Sequence, residues 1–218
     1  MKPPAGRETG RMTRERVDRI VDIASVVLIS AAAVLSAMSG YESGRWGGQR
    51  TRLYNMANAS RLRSAEEADR SIALTAIDVT LFLHYVDAVD AGDARKAQFL
   101  YRRFRPEARP AMRAWLATKP LQNPNAPSSP FAMPQYALAS NASSQENERR
   151  ASASFDAAQA ANRHADEFLL LTVIFASVSF LAGVSTKMAY PRHLVVVVVG
   201  TLALIYGLTR LITLPLLF

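Results

Sequence analysis

Three histidines, His84, His164 and His193, are the side chains best suited to proton transfer or metal ligation near neutral pH. His84 precedes Asp87 by three residues, and His164 stands beside Asp166 and Glu167. A metal site on a helix needs a second histidine four residues away, or ligands converging from elsewhere. Neither group has one, so both read as ordinary helix histidines and no metal is expected. Asp78, Asp87, Asp90 and Asp93 could gather near one side of a helix end. The expectation is a solvated acidic edge, with Asp93 as a helix N-cap. The chain has no cysteine, which removes disulfides, thiolate ligands and cysteine nucleophiles. No GxSxG, SxxK, GxGxxG or GxxxxGK[ST] pattern occurs. Without a nucleophile–base pair, neither a cofactor nor an enzymatic activity is expected.

A second set of polar residues matters for its position. Glu42, Asp166, Glu167 and Arg210 flank or interrupt long apolar runs, and Trp46 follows the first run closely. Asp18, Asp22, Lys187 and Arg192 flank the same runs at their other ends. Arg210 is the one charge in an otherwise apolar 25-residue tail, Leu194 to Phe218. An unpaired charge in hydrocarbon costs a few kcal/mol on insertion scales. Arg210 therefore either reaches out to the interface or pairs with Glu42 or Glu167. Trp46 fits an interfacial anchor.

The elements that must position these residues are three apolar runs. Ile23–Tyr41 and Phe168–Thr186 each hold 19 residues without a charge, and Leu194–Thr209 holds 16 before Arg210. About 20 residues at a rise of 1.5 Å cross a hydrocarbon core of ~30 Å. The expected fold is an all-α membrane protein with three transmembrane helices over 20–41, 168–186 and 194–214. A cleaved signal peptide is the rival for the first run, but its apolar core would usually be only about 7–15 residues long. Residues 1–19 form a basic N-terminal segment, disordered for the first ten residues and helical from Arg11. Residues 187–193 form a short basic turn containing Pro191.

Charge orients the spans. The N-terminal segment carries six basic residues, and the 187–193 turn carries Lys187, Arg192 and His193 without an acid. Cytoplasmic loops are enriched in such residues. The N-terminus and this turn are expected in the cytoplasm, with 42–167 outside. Arg45, Arg50 and Arg52 argue the other way, but long translocated segments largely escape the rule. The net charge of +8 then reflects a lipid-bilayer partner rather than nucleic acid.

Small residues four apart, Ala32, Ser36 and Gly40 with Ala33 and Ala37 beside them, let helices approach closely. Ser179 with Gly183, and Ala203 with Gly207, do the same in the later spans. They serve either packing within the chain or a homo-oligomer interface.

The insertion between the first two spans reads as a helical stalk carrying an extended wrap. Residues 42–90 continue the first span as helix. Leu53, Met56 and Ala57 start a buried face that Ala65, Ala68, Ile72, Ala76 and Leu83 resume, with Ser60 and Ser64 holding the positions between. Ala91-Gly92-Asp93 stops that helix and starts a second over 93–104. Pro106 and Pro110 open a short helix ending near Thr118. From 120 to 134 prolines forbid helix, while Trp115, Leu121, Phe131, Met133 and Tyr136 predict an ordered wrap rather than a linker. From Ser140 onward a helix runs into the second span.

This proline-rich stretch carries a resemblance. RFRPE at 103–107, RPA at 109–111, AWLATKPL at 114–121, NP and AP at 123–127, and SPFAMPQY at 129–136 resemble a family of uncharacterised bacterial three-span integral membrane proteins. Trp46-Gly47-Gly48-Gln49 and FASVSFLAG at 175–183 extend the resemblance over about residues 41–190. It implies the three-span layout and brings no activity, ligand or catalytic residue with it. The function expected is a non-enzymatic, self-associating scaffold or accessory subunit, with a membrane or envelope protein as a further partner. The alternative is a subunit of an oligomeric channel or stator-like complex. Away from the span ends, only Thr172, Ser177, Ser179 and Thr201 offer hydroxyl groups in the later spans, and no carboxylate lies there.

Overall fold

The computed structural model describes residues 6–188 and 192–217, with side chains from residue 19 onward. Residues 1–5, the Asp18 side chain, Phe218 and residues 189–191, with the expected turn at Pro191, lie outside the described residues. The regular elements described are all helices: α1 Gly6–Asp90, α2 Ala94–Arg103, α3 Arg109–Ala117, α4 Ala139–Ser185 and α5 Arg192–Thr213, with one 3-10 turn at Pro130–Ala132. Three of them, α1, α4 and α5, are long and apolar enough to cross a membrane. Helix begins at Gly6 rather than Arg11, and α1 passes without a break through Gly44, Gly47 and Gly48. A glycine in a helix costs about 1 kcal/mol against alanine, and α1 carries all three.

The chain divides into two compact units, Met1–Tyr54 with Asp156–Phe218, and Asn55–Phe155. In the first, α1 and α4 run antiparallel. Ser25 Oγ lies 3.3 Å from Ser185 Oγ. Further along, Ser36 Oγ donates to the Thr172 carbonyl at 3.1 Å and Ser43 Oγ to the Ala165 carbonyl at 2.9 Å. Beyond these, Arg50 Nη1 donates to Asn162 Oδ1 at 2.7 Å. Partners fall in number along α4 as they rise along α1. Val21, Leu28 and Ala32 of α1, Phe168, Leu171, Phe175, Val178 and Ala182 of α4, and Val197 and Leu211 of α5 form one core.

The small residues are engaged inside this unit. Ala32 is fully buried, Ser36 holds α4, and a Cβ on Gly40 would sit 3.7 Å from Thr172 Oγ1. On α5 the requirement is stricter. A Cβ on Gly207 would lie 2.6 Å from Cε1 of the fully buried Phe175. Gly207 is the gap that seats this ring. Ala33 and Ala37 remain exposed.

In the second unit the buried stripe of α1 is Ala57, Ser64, Asp78, Phe82 and Ala88. This corrects the expected face: Ala57 is buried, but Met56, Ile72 and Leu83 are more than half exposed. Hydrophobicity misplaced the stripe because two of its positions are polar. Ser64 Oγ satisfies itself on the Ser144 carbonyl at 2.9 Å, and Asp78 has partners described below. α1 ends where Gly92 takes φ +69°. Asp93 then caps α2, its Oδ1 accepting from the Lys96 N–H at 2.9 Å. Pro110 lies in the first turn of α3. After α3, Lys119 adopts φ +52° ahead of Pro120.

Around Phe82, Phe104, Ala108, Met112 and Trp115, an aromatic core collects Phe131, Met133 and Tyr136 from the proline-rich segment. Phe82 meets Trp115 and Phe131 edge to face at 5.1 and 5.6 Å. Trp115 Nε1 donates to the Pro127 carbonyl at 2.7 Å. A buried tryptophan needs such a partner, and here the partner belongs to the loop itself. Leu121 differs from expectation: it is 80% exposed.

Candidate functional site

Two polar centres stand out, one in each unit. In the first unit, α5 ends at Thr213 and Pro215 prevents further helix. The backbone of residues 215–217 therefore needs other partners. Trp46 Nε1 donates to the Pro215 carbonyl at 3.1 Å. Glu42, only 3% exposed, accepts the Leu217 N–H on Oε2 at 3.0 Å. Leu214 and Leu216 pack against the same core as Trp46. Glu42 and Trp46, one turn apart on α1, thus hold the end of the chain.

The nearby charges are arranged more loosely. Arg210 Nη2 lies 3.7 Å from Glu167 Oε1, with about half of each side chain exposed. Of the two acids considered for Arg210, Glu167 is the one beside it. His164 Nδ1 lies 3.5 Å from Glu167 Oε2, beyond hydrogen-bond length, and its ring sits 4.6 Å from that of Trp46. Asp166 accepts from Asn162 Nδ2 at 2.9 Å. At the other end of the unit, Asp22 and Lys187 are exposed and take no ion pair among the described residues.

In the second unit, Asp78 is fully buried, which corrects its reading as part of a solvated edge. Arg105 grips it with two hydrogen bonds, Nε to Oδ1 at 3.1 Å and Nη2 to Oδ2 at 2.6 Å. Tyr136 Oη donates to Asp78 Oδ2 at 2.9 Å and lies 3.3 Å from Thr75 Oγ1. Arg105 also pairs with Glu107. Nearby, Arg109 donates from Nε to the Phe104 carbonyl at 2.8 Å and from Nη2 to the Arg102 carbonyl at 3.0 Å. Those carbonyls at the end of α2 lack helical partners, so Arg109 closes that terminus.

Electrostatics follow from this packing. The hydrogen bonds to Asp78 push the Arg105 guanidinium above its ordinary range, against an opposing effect of burial. Burial raises the Tyr136 phenol; its Thr75 contact lowers it and its Asp78 bond raises it. Burial also raises the Tyr85 phenol, with a further push from Tyr101. Each group is held in its protonated form. The centre is a structural lock that ties α1, the α2–α3 connection and the proline-rich segment together through one carboxylate. Sequence reasoning missed Arg105 and Tyr136 as partners of Asp78. The detectable signal was a carboxylate inside the apolar run 72–89, which needs a buried cation or donors.

His84 and His164 gather no metal set, and the described residues contain no group of three or more histidines and carboxylates able to hold a metal ion. Fold and centres together define an all-helical protein with three helices long and apolar enough to cross a membrane. No family model, curated protein or solved structure matches the chain.

Proposed function

We propose that this chain is a non-enzymatic, self-associating scaffold or accessory subunit of a bacterial inner membrane, of the three-span family that residues 103–136 resemble. In this reading, 42–167 form a helical stalk and proline-rich wrap outside the cytoplasm, and the N-terminus lies inside. The observation that carries it is the use made of polar side chains along the apolar helices. Ser25, Ser30, Thr172, Ser177 and Thr201 bond backbone carbonyls within their own helices. Ser36 and Ser43 bond carbonyls of the neighbouring helix. Hydroxyls spent on backbone support helix packing rather than a path for ions.

The test exploits the absence of cysteine. Asn125→Cys lies on an exposed part of the proline-rich segment. A membrane-impermeant thiol reagent is expected to label it in intact cells. Labelling only after lysis would reverse the topology and favour the stator-like alternative. Purified protein in liposomes is expected to pass no ions and to cross-link to itself. Ion flux that changes on Thr172→Ala or Thr201→Ala would replace the scaffold reading with a channel.

A further inference from the structure

We propose that the Asn55–Phe155 unit carries a binding site for an organic cation with an apolar body, in a cleft between the end of α1 and the segment following α3. The cleft encloses about 690 Å³, within the range of ligand-sized sites. Its walls include Tyr85, Trp115, Leu116, Pro120 and Leu121. A second hollow of about 450 Å³ shares Tyr85, Val89 and Leu116 with it and extends toward Tyr101. A narrow apolar body therefore has room to lie along Tyr85. The high exposure of Leu121, 80%, belongs to this rim.

The charge of the site points to a cation. Asp87 and Asp90 line the cleft from the last turn of α1. That helix has no basic residue in its last turn, so both acids stand at the negative end of the helix dipole. Neither forms an ion pair among the described residues, in a chain of net charge +8. This is an unfavourable placement that a bound cation would relieve. Tyr85, only partly buried, adds an aromatic surface of the kind that holds quaternary ammonium groups, while the buried Trp115 reaches the lining and can report on its occupancy. Lys119 also lines the cleft. Its ammonium opposes a cation and leaves the lining one charge negative.

The experiment uses the full-length protein in lipid nanodiscs, with Trp46→Phe so that Trp115 is the remaining tryptophan. Phenethyltrimethylammonium is titrated while Trp115 emission is followed, with uncharged phenethyl alcohol as the comparison. The cation is expected to bind at least about fivefold more tightly than the alcohol, from its contacts with Tyr85 and the two acids. The double change Asp87→Asn with Asp90→Asn, at two exposed positions, should abolish that preference. Lys119→Gln should strengthen cation binding. Equal affinity for the cation and the alcohol would overturn the proposal, as would a cation preference unchanged by either substitution. An absent Trp115 response to both probes would overturn it as well.

Discussion

Asp78 shows how one residue can organise a unit. Its two carboxylate oxygens take three hydrogen bonds, two from Arg105 and one from Tyr136. Removing one member of a buried pair leaves the other uncompensated, at a cost of about 3–5 kcal/mol. Asp78→Ala is therefore expected to destabilise the Asn55–Phe155 unit by about 3 kcal/mol, toward the low end because Arg105 is partly exposed. Tyr136→Phe, which removes a single hydrogen bond, should cost about 1 kcal/mol. Amide exchange around residues 78–82 would report both. If Asp78→Ala exchanged no faster than Tyr136→Phe, the lock would be refuted.

The raised phenols make a pH prediction at the same scale. Tyr85 and Tyr136 lie above their ordinary value in the folded chain. A raised value gives stability that is complete below the unfolded value of about 10 and is lost as pH rises past it, because the unfolded chain releases those protons first. The thermal midpoint of this unit should be flat with respect to these two groups from pH 7 to 9 and fall above about pH 10. Replacing both tyrosines with phenylalanine should reduce that alkaline fall relative to the parent.

At the scale of elements, the ends and close approaches of helices carry the sharpest expectations. Lys119 occupies the left-handed position after α3, ahead of Pro120. That conformation costs a residue with a side chain roughly 1 kcal/mol and favours glycine. Lys119→Gly should therefore stabilise α3 by about 1 kcal/mol, while Asp93→Ala should lose about 1 kcal/mol with the cap of α2. Opposite shifts in the thermal midpoint would test both. Between α4 and α5, Gly207→Val would force the buried Phe175 ring to move. An overpacked core costs about 1–3 kcal/mol, so unfolding of the detergent-solubilised protein should begin at lower denaturant. Arg210→Leu should change stability by less than about 1 kcal/mol, because its ion pair with Glu167 is long and half exposed.

At the scale of the whole molecule, the apolar surface is the property to measure. Ile23, Val26 and Val34 on α1, Leu170 and Phe180 on α4, and Val195 and Leu202 on α5 are all large, apolar and exposed. In water such surface would drive aggregation; in a bilayer it meets lipid tails. A lipid-soluble carbene reagent is expected to label these stretches of all three helices and to spare residues 93–136. Labelling of one helix alone would exclude a three-span arrangement.

Much of this was legible from the chain because it depends on local rules. Runs of 16 to 19 uncharged residues are long enough for a membrane helix whatever surrounds them, so the three apolar runs announced their helices. Gly92 followed by Asp93 marked a stop and a cap, because both act on backbone within one turn. Prolines from 120 to 134 excluded α-helix for the same reason, leaving only the 3-10 turn at Pro130–Ala132. The contacts that give each unit its form depend on pairs far apart in sequence. Asp78 read as solvated because Arg105 lies 27 residues away. Glu42 read as one of two candidate partners for Arg210, yet its carboxylate holds the Leu217 N–H, which is freed because Pro215 ends the helix. The buried face of α1 in this unit passes through Ser64, at an expected position, and through Asp78, which hydrophobicity alone rejects. A polar side chain can be buried once its partner arrives, and only the tertiary structure supplies that partner.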